Sequence, residues 1–353
     1  YDVTISGGDL AGYNGVVGVS FISSPTVTDI AGNALAGITS TSAAQTYTMD
    51  NSNPVVTITS SAATLGGTST ATLTFTLGQV STDFVSGDVD VTGGTLSAIS
   101  GTGLSRTATF TPTASTGGTG SISVTDANYS DLAGNTGSNA SSATINIDTA
   151  APTITSLALN TAGSTGLVSS TFNAGDLAAV AVVFSEAITV DITGGVPTLS
   201  MTIGTTLVTA DYVSGSGTTT LLFKYTILAG QTDTDGIGLN ANGLSLNGGT
   251  LKDAVGNAAV LTYVAVANAS GFLVDTTAPT LSITSSKSTV LADETATITF
   301  TFSEVPSGFA LGDIVATNGT MTSLLSPTTA TRMDNFTEMM LEKTGLIAMI
   351  GKA

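Results

Sequence analysis

The side chains best suited to chemistry in this sequence are carboxylates, and they recur in a fixed order. Asp131-Leu132-Ala133-Gly134-Asn135 is followed by Asp148 and Pro152. The same order appears as Asp29-Ile30-Ala31-Gly32-Asn33, Asp50 and Pro54, and again as Asp253-Ala254-Val255-Gly256-Asn257, Asp275 and Pro279. Calcium takes roughly six to eight oxygen ligands, many of them carboxylates and backbone carbonyls. The spacing predicts that Asp131 shares an ion with Asp148, and Asp253 with Asp275, stiffening a joint. Glu186 and Glu304 occupy equivalent Phe-Ser-Glu positions and are candidate further donors; the matching place between Asp50 and Asp131 is Gly78-Gln79. Asp233-Thr234-Asp235-Gly236 resembles half of a calcium loop. Each motif also has a reading without metal. Asp and Asn bond their own backbone and Gly supplies a positive φ, which makes a tight turn unaided. An acid at a strand end is commonly just solvated.

Composition removes most other chemistries. The chain has 353 residues, no cysteine and no histidine, which excludes disulfides, Cys/His zinc sites, Ser-His-Asp triads and cysteine nucleophiles. Net charge is −18, from 25 acidic against 7 basic residues, so nucleic acid is not an expected partner and divalent cations are the natural counterions. No apolar run is long enough to span a membrane. A carboxylate pair of glycosidase type is not ruled out by residue count, but there is no tryptophan and only 5% aromatic residues to build a sugar platform.

The elements that must position these carboxylates are strands. Only 9% of residues are charged while 41% are hydrophobic, and threonine and valine alternate with apolar residues. That is the grammar of half-exposed strands. Ala71–Leu77 is the clearest case, with Leu73, Phe75 and Leu77 on one face and threonines on the other. Further strands are expected at Val16–Phe21, Gln45–Met49, Val55–Ile58, Val89–Thr92, Arg106–Phe110, Ser121–Val124 and Ala143–Ile147. Beyond Asp148, the same pattern predicts strands around Val180–Phe184 and at Thr198–Ile203, Leu207–Tyr212, Thr219–Thr226, Leu244–Leu246 and Gly271–Val274. Thr295–Glu304 repeats the Leu73 strand with a Phe-Ser-Glu ending. About seven short strands per hundred residues fit a β-sandwich. Repetition of the turn, last strand, acidic hinge and proline at intervals of about a hundred residues signals a tandem array. The expected units are 1–50, the C-terminal part of a repeat; 51–148, complete; 149–275, longer; and 276–326, truncated. Starting in mid-repeat, the chain reads as a piece of something longer.

The Phe-Ser-Glu strand ending, the Asp-x-x-Gly-Asn turn and the Asp-Thr-Thr-Ala-Pro-Thr hinge resemble the bacterial immunoglobulin-like repeats of large surface and secreted adhesins. The resemblance covers residues 1 to about 326. It implies an all-β chain of tandem immunoglobulin-like sandwiches, an extracellular or cell-surface location, and a stalk or biofilm-matrix role.

From Pro327 the pattern changes. Asp334 is placed to cap a helix running through Lys343 with Gly345 ending it, followed by a strand at Leu346–Ile350, an α/β-like tail. Thr328-Thr329-Ala330-Thr331-Arg332-Met333-Asp334 and Ile350-Gly351-Lys352 resemble motifs of the β-part of iron–sulfur fumarases and tartrate dehydratases. The resemblance implies that Arg332 and Lys352 hold a dicarboxylate and that Thr328 is a candidate base. Cysteine ligands are absent, so neither an iron–sulfur cluster nor dehydratase activity is expected, and residues 327–353 read as a chimeric fragment. The expected function is therefore a non-enzymatic spacer whose partners are its neighbouring repeats. An alternative is a glycan- or protein-binding module in 149–275, directed at a host or matrix molecule.

Overall fold

The computed structural model describes residues 2, 4, 6, 8–22, 25–37, 45–124, 129–138, 142–291, 294–317, 320–325 and 334–340. Its regular elements are strands, joined by short 3-10 turns such as Gly8–Gly12 and Ser86–Asp88.

The first unit contributes β1 (Gly15–Val19) and β2 (Gln45–Met49), an antiparallel pair in which Val17 faces Tyr47 and Val19 faces Gln45. The second unit is a two-layer sandwich. Its strands are β3 (Val56–Ser60), β4 (Thr64–Gly66), β5 (Ala71–Leu77), β6 (Val89–Thr92), β7 (Gly94–Leu96), β8 (Ser105–Pro112), β9 (Gly117–Val124) and β10 (Ala143–Asp148). One sheet runs β3-β5-β8-β7 and the other β4-β10-β9-β6. Period-two alternation explains the layers: in β5 every second residue is buried, and Leu73 and Phe75 are fully so. They meet Ile122, Val124, Ile145 and Ile147 from the opposite sheet in one cluster. Burying a side chain of this size stabilises the fold by about 1.5–3 kcal/mol. Phe75 packs edge-on to Phe84, and Phe84 to Tyr129, whose hydroxyl donates to the Pro54 carbonyl at 3.0 Å. The core is thereby tied to the start of its own unit.

The third unit holds β11 (Ile154–Leu159), β12 (Thr171–Phe172), β13 (Leu177–Asp191), β14 (Thr198–Ile203), β15 (Thr206–Ser214), β16 (Thr218–Thr226), β17 (Thr232–Asp233), β18 (Ile237–Ser245), β19 (Thr250–Lys252), β20 (Val266–Ala269) and β21 (Leu273–Asp275). The large sheet runs β11-β13-β16-β15-β14-β18-β20 and the small one β12-β21-β17. Strand β13 does not stop at Glu186. Its register against β16 shifts between Val183 and Ile188, and Thr189–Asp191 then pair with β19. The polar Ser185-Glu186 step that reads as an end is an irregularity that bends one long strand into a second pairing.

The fourth unit has β22 (Leu281–Ser285), β23 (Thr295–Phe302), β24 (Thr320–Leu325) and β25 (Asp334–Met340), in one sheet ordered β22-β23-β25-β24. This corrects the tail. Asp334 begins a strand and caps no helix; residues 334–340 hydrogen-bond along β23 from Thr301 to Thr295. The open edge of β23 is a long ladder of unpaired backbone groups, and pairing it outweighs local helix signals. Thr328, Arg332, Lys343, Gly345, Leu346–Ile350 and Lys352 lie outside the described residues. Three hydrophobic clusters, drawn from residues 154–274, 56–147 and 290–316, stay within their own units.

Candidate metal centre at the joint

The recurring turn has the same geometry in all three copies. In the middle one, Asp131 Oδ1 accepts the backbone N–H groups of Ala133 (2.8 Å) and Asn135 (2.9 Å), and Oδ2 accepts the Asn135 amide at 2.9 Å. Asp29 and Asp253 repeat all three bonds with their own Asn33 and Asn257. The glycine must turn left-handed, with φ of 88°, 90° and 96° at Gly32, Gly134 and Gly256. Burial raises the Asp131 pKa, but the Asn135 side chain and the amides of Asn135, Ala133 and Gly134 outweigh it and hold the carboxyl below its ordinary 3.8.

This turn meets the hinge that precedes its unit, not the one that follows. Asn135 donates to the Asp50 carbonyl at 2.9 Å, and Asn257 to the Asp148 carbonyl at 2.8 Å. The expected partnership of Asp253 with Asp275 is therefore replaced by Asp253 with Asp148. The reason is the last strand. In the second unit, β10 carries the chain away from the turn over about 20 Å at ~3.3 Å per residue, so the turn and the following hinge lie at opposite ends.

Around this contact the hinge is clipped on both sides. Thr149 is buried, donates to the Thr113 carbonyl at 2.8 Å and accepts the Thr116 N–H at 3.0 Å, binding it to the second unit. On the third unit, Val260 N–H donates to the Pro152 carbonyl at 2.8 Å, and Ser185 Oγ accepts the Thr153 N–H at 3.0 Å. Asn257 also accepts the Gly67 N–H, crossing from the third unit to the second. Gly66 is required here, since a Cβ would sit 2.7 Å from the Val255 carbonyl. The other hinges use the same devices. Asn51 donates to the Tyr13 carbonyl at 2.6 Å, and Thr276 to the Gln231 carbonyl at 2.8 Å. Ser303 Oγ accepts the Thr280 N–H at 2.9 Å.

Asp148, Glu186 and Asp253 converge, each with a carboxylate oxygen within 4.8 Å of the others. Glu186 reaches the cluster because the bend in β13 places it there. Burial raises its pKa above 4.5, and the charges of Asp148 and Asp253 raise it further. The donor set is all oxygen and carries concentrated negative charge, the chemistry of a hard divalent cation. Among the described residues no other group of three acidic side chains comes together this closely. Asp131, Asp275, Glu304, Asp233 and Asp235 stand apart from it. Asp233 is buried and accepts from the N–H groups of Gly236 (2.7 Å) and Gly204 (2.7 Å), which makes it the anchor of a turn. Asp235 accepts the Asn268 amide at 2.7 Å, and Asp275 the Thr277 N–H at 3.0 Å. Glu304 Oε1 is buried without a hydrogen-bond partner. At the position of Glu186 in the second unit, Gln79 donates its side-chain amide to Asp50 Oδ2, a hinge contact that sequence reasoning did not assign although it aligned Gly78-Gln79 with that position.

A family model described as "Bacterial Ig-like domain" matches residues 50–147 and 275–337. Over these two segments the chain is similar to bacterial Ig-like domains. The first coincides with the second unit, and the second continues past Ser326 into β25. No curated protein matches the chain. Among solved structures, the Escherichia coli adhesin FdeC aligns at 12% identity over 83% of this chain and 89% of its own, with a TM-score of 0.29. The I9–I11 tandem of titin aligns at 8% identity over 82% and 87%, with a TM-score of 0.28. The Yersinia pseudotuberculosis adhesin InvE aligns at 15% identity over 57% and 55%, with a TM-score of 0.22. No helix among the described residues is long and apolar enough to cross a membrane.

Proposed function

We propose that this chain is a spacer segment of a bacterial surface or secreted protein of the adhesin type. In this reading its Ig-like domains act by reach and stiffness and carry out no catalysis. The observation that carries it is the joint between the second and third units. A hinge anchored through Thr149 on one side and Pro152 on the other, and spanned by Asn257, resists bending. The separate cores and the net charge of −18 support it, since like charge along a chain of modules opposes self-collapse.

Calcium belongs to the same reading. Asp148, Glu186 and Asp253 would hold it, with Asp148 coming from the hinge and the other two from the third unit, and bound charge would relieve the repulsion among them. Stiffness is tested with spin labels, since the chain has no native cysteine to compete for them. One label goes on an exposed residue of β8 and one on an exposed residue of β15. Pulsed dipolar spectroscopy is expected to give a narrow distance distribution, narrower in calcium than in chelator. A broad distribution in both conditions overturns the spacer reading; a narrow one indifferent to calcium removes the metal alone.

A further inference from the structure

Strands β4 and β10 of the second unit form a parallel pair, and a residue of the third unit reaches into their ladder. Asn146 lies opposite Thr64, Ile147 opposite Leu65 and Asp148 opposite Gly66. Asn146 N–H donates to the Ala63 carbonyl at 2.9 Å, one residue before its partner, as the slanted bonds of a parallel pair require. Carried forward, this pattern makes the Asp148 carbonyl and the Gly67 N–H the next rung. The Asn257 side chain bridges that pair. Its nitrogen donates to the Asp148 carbonyl at 2.8 Å, and its oxygen accepts the Gly67 N–H.

Asn257 is held for this position. It is 5% exposed, and its nitrogen also donates to the Asp253 carboxylate at 2.6 Å, which fixes which way round the amide lies. Beside it, Val255 packs over Gly66 so closely that a Cβ there would come within 2.8 Å of the Val255 side chain. Asn135 repeats the two donations one joint earlier, to the Asp50 carbonyl and the Asp131 carboxylate, both at 2.9 Å.

The rung matters because of where tension runs. The chain enters the second unit ahead of β3 and leaves it at the end of β10, while β4 belongs to the first part of the unit. Pulling on the two ends therefore drags β10 along β4. Hydrogen bonds lying across the direction of pull are strained together and share the load, whereas bonds peeled from one end break singly. A rung added at the Asp148 end, where the force arrives, resists first.

We infer that the third unit braces the second against force: through Asn257 it supplies a rung of the ladder that holds β10 in place. This deepens the spacer reading and rests on it, since a spacer fixed at both ends is under tension. At equilibrium the support is mutual, as any coupling must be. Under load it is not, because the bridged strands β4 and β10 both belong to the second unit.

The test is a force clamp on the full chain, held by added terminal tags, in chelator so that no ion contributes. The third unit spans more residues than the second, so its unfolding releases a longer step. In wild type the second unit is expected to unfold at least roughly tenfold faster at a given force once the third has unfolded. In Asn257→Ala it is expected to unfold at that faster rate while the third unit is still folded. A wild-type second unit whose rate ignores the state of the third overturns the inference, as does an Asn257→Ala chain in which only the third unit weakens. If that variant does not fold, the wild-type comparison decides alone. Failure of the spacer reading is separate: it shows as broad spin-label distances, which these rates do not measure.

Discussion

Gln79 donates its side-chain amide to Oδ2 of Asp50 at 2.5 Å, in the position where the third unit places Glu186 against Asp148. The same joint is thus built in two ways. In one, an amide hydrogen bond joins strand and hinge; in the other, a third carboxylate crowds two more.

Exchanging the two solutions should move calcium dependence with them. Glu186→Gln is expected to raise the melting temperature in chelator, because it removes a charge repelled by Asp148 and Asp253, and to abolish any gain from added calcium. Gln79→Glu is expected to lower the melting temperature of the second unit in chelator. Differential scanning calorimetry with and without calcium reads both.

The pH response of the metal-free protein has a definite sign. The Glu186 carboxyl lies above 4.5 through burial and the neighbouring Asp148 and Asp253 charges, so the folded state holds its proton more tightly than the unfolded chain. Between 4.5 and the raised value, stability therefore falls as pH rises. Asp131 works the other way: its carboxyl is held below 3.8, and the stability it adds is lost as pH falls below that point. Thermal melts across pH 3–7 are expected to lose the first slope in Glu186→Gln and the second in Asp131→Asn.

Asn257 bonds the Asp148 carbonyl, the Asp253 carboxylate and the Gly67 N–H from one side chain. Asn257→Ala leaves polar groups at the joint without these partners. A loss of about 1–3 kcal/mol is expected, read by denaturant unfolding, together with a broadened spin-label distribution across the joint.

The turns should behave as folding elements whether or not metal binds. Gly134→Ala forces a Cβ into φ of +90° and is expected to cost about 1 kcal/mol. Asp131→Ala removes the acceptor of three hydrogen bonds and is expected to cost about 2–4 kcal/mol. Chemical denaturation in chelator isolates both effects from any ion.

Much of this fold was legible because alternation is a local signal. Ala71–Leu77, Gln45–Met49, Val89–Thr92 and Thr198–Ile203 form with the bounds their patterns suggest. What was not legible depends on pairing at a distance. Ser185-Glu186 interrupts the apolar alternation and reads as an ending, yet β13 continues because β19 offers a second partner. Residues 334–340 carry helix-compatible composition, but the edge of β23 takes them as a strand. The site was legible in part: Asp148, Glu186 and Asp253 were singled out as candidate donors, while the pairing of turn and hinge ran the wrong way. Spacing along the chain gives no direction across a sandwich; the run of β10 from one end to the other does.

Most of the oxygens that anchor the hinges, those of Asp50, Asp148, Pro152, Thr113, Tyr13 and Gln231, belong to the main chain; Ser185, Ser303 and Asn257 add side-chain oxygens. Beyond the main chain, a joint of this kind asks its neighbour for only a few small polar side chains, such as Asn257 and Ser185. Copies that have drifted far apart in sequence can still be spliced end to end, so a gene encoding such repeats can lengthen or shorten by recombination without having to invent a new seam each time.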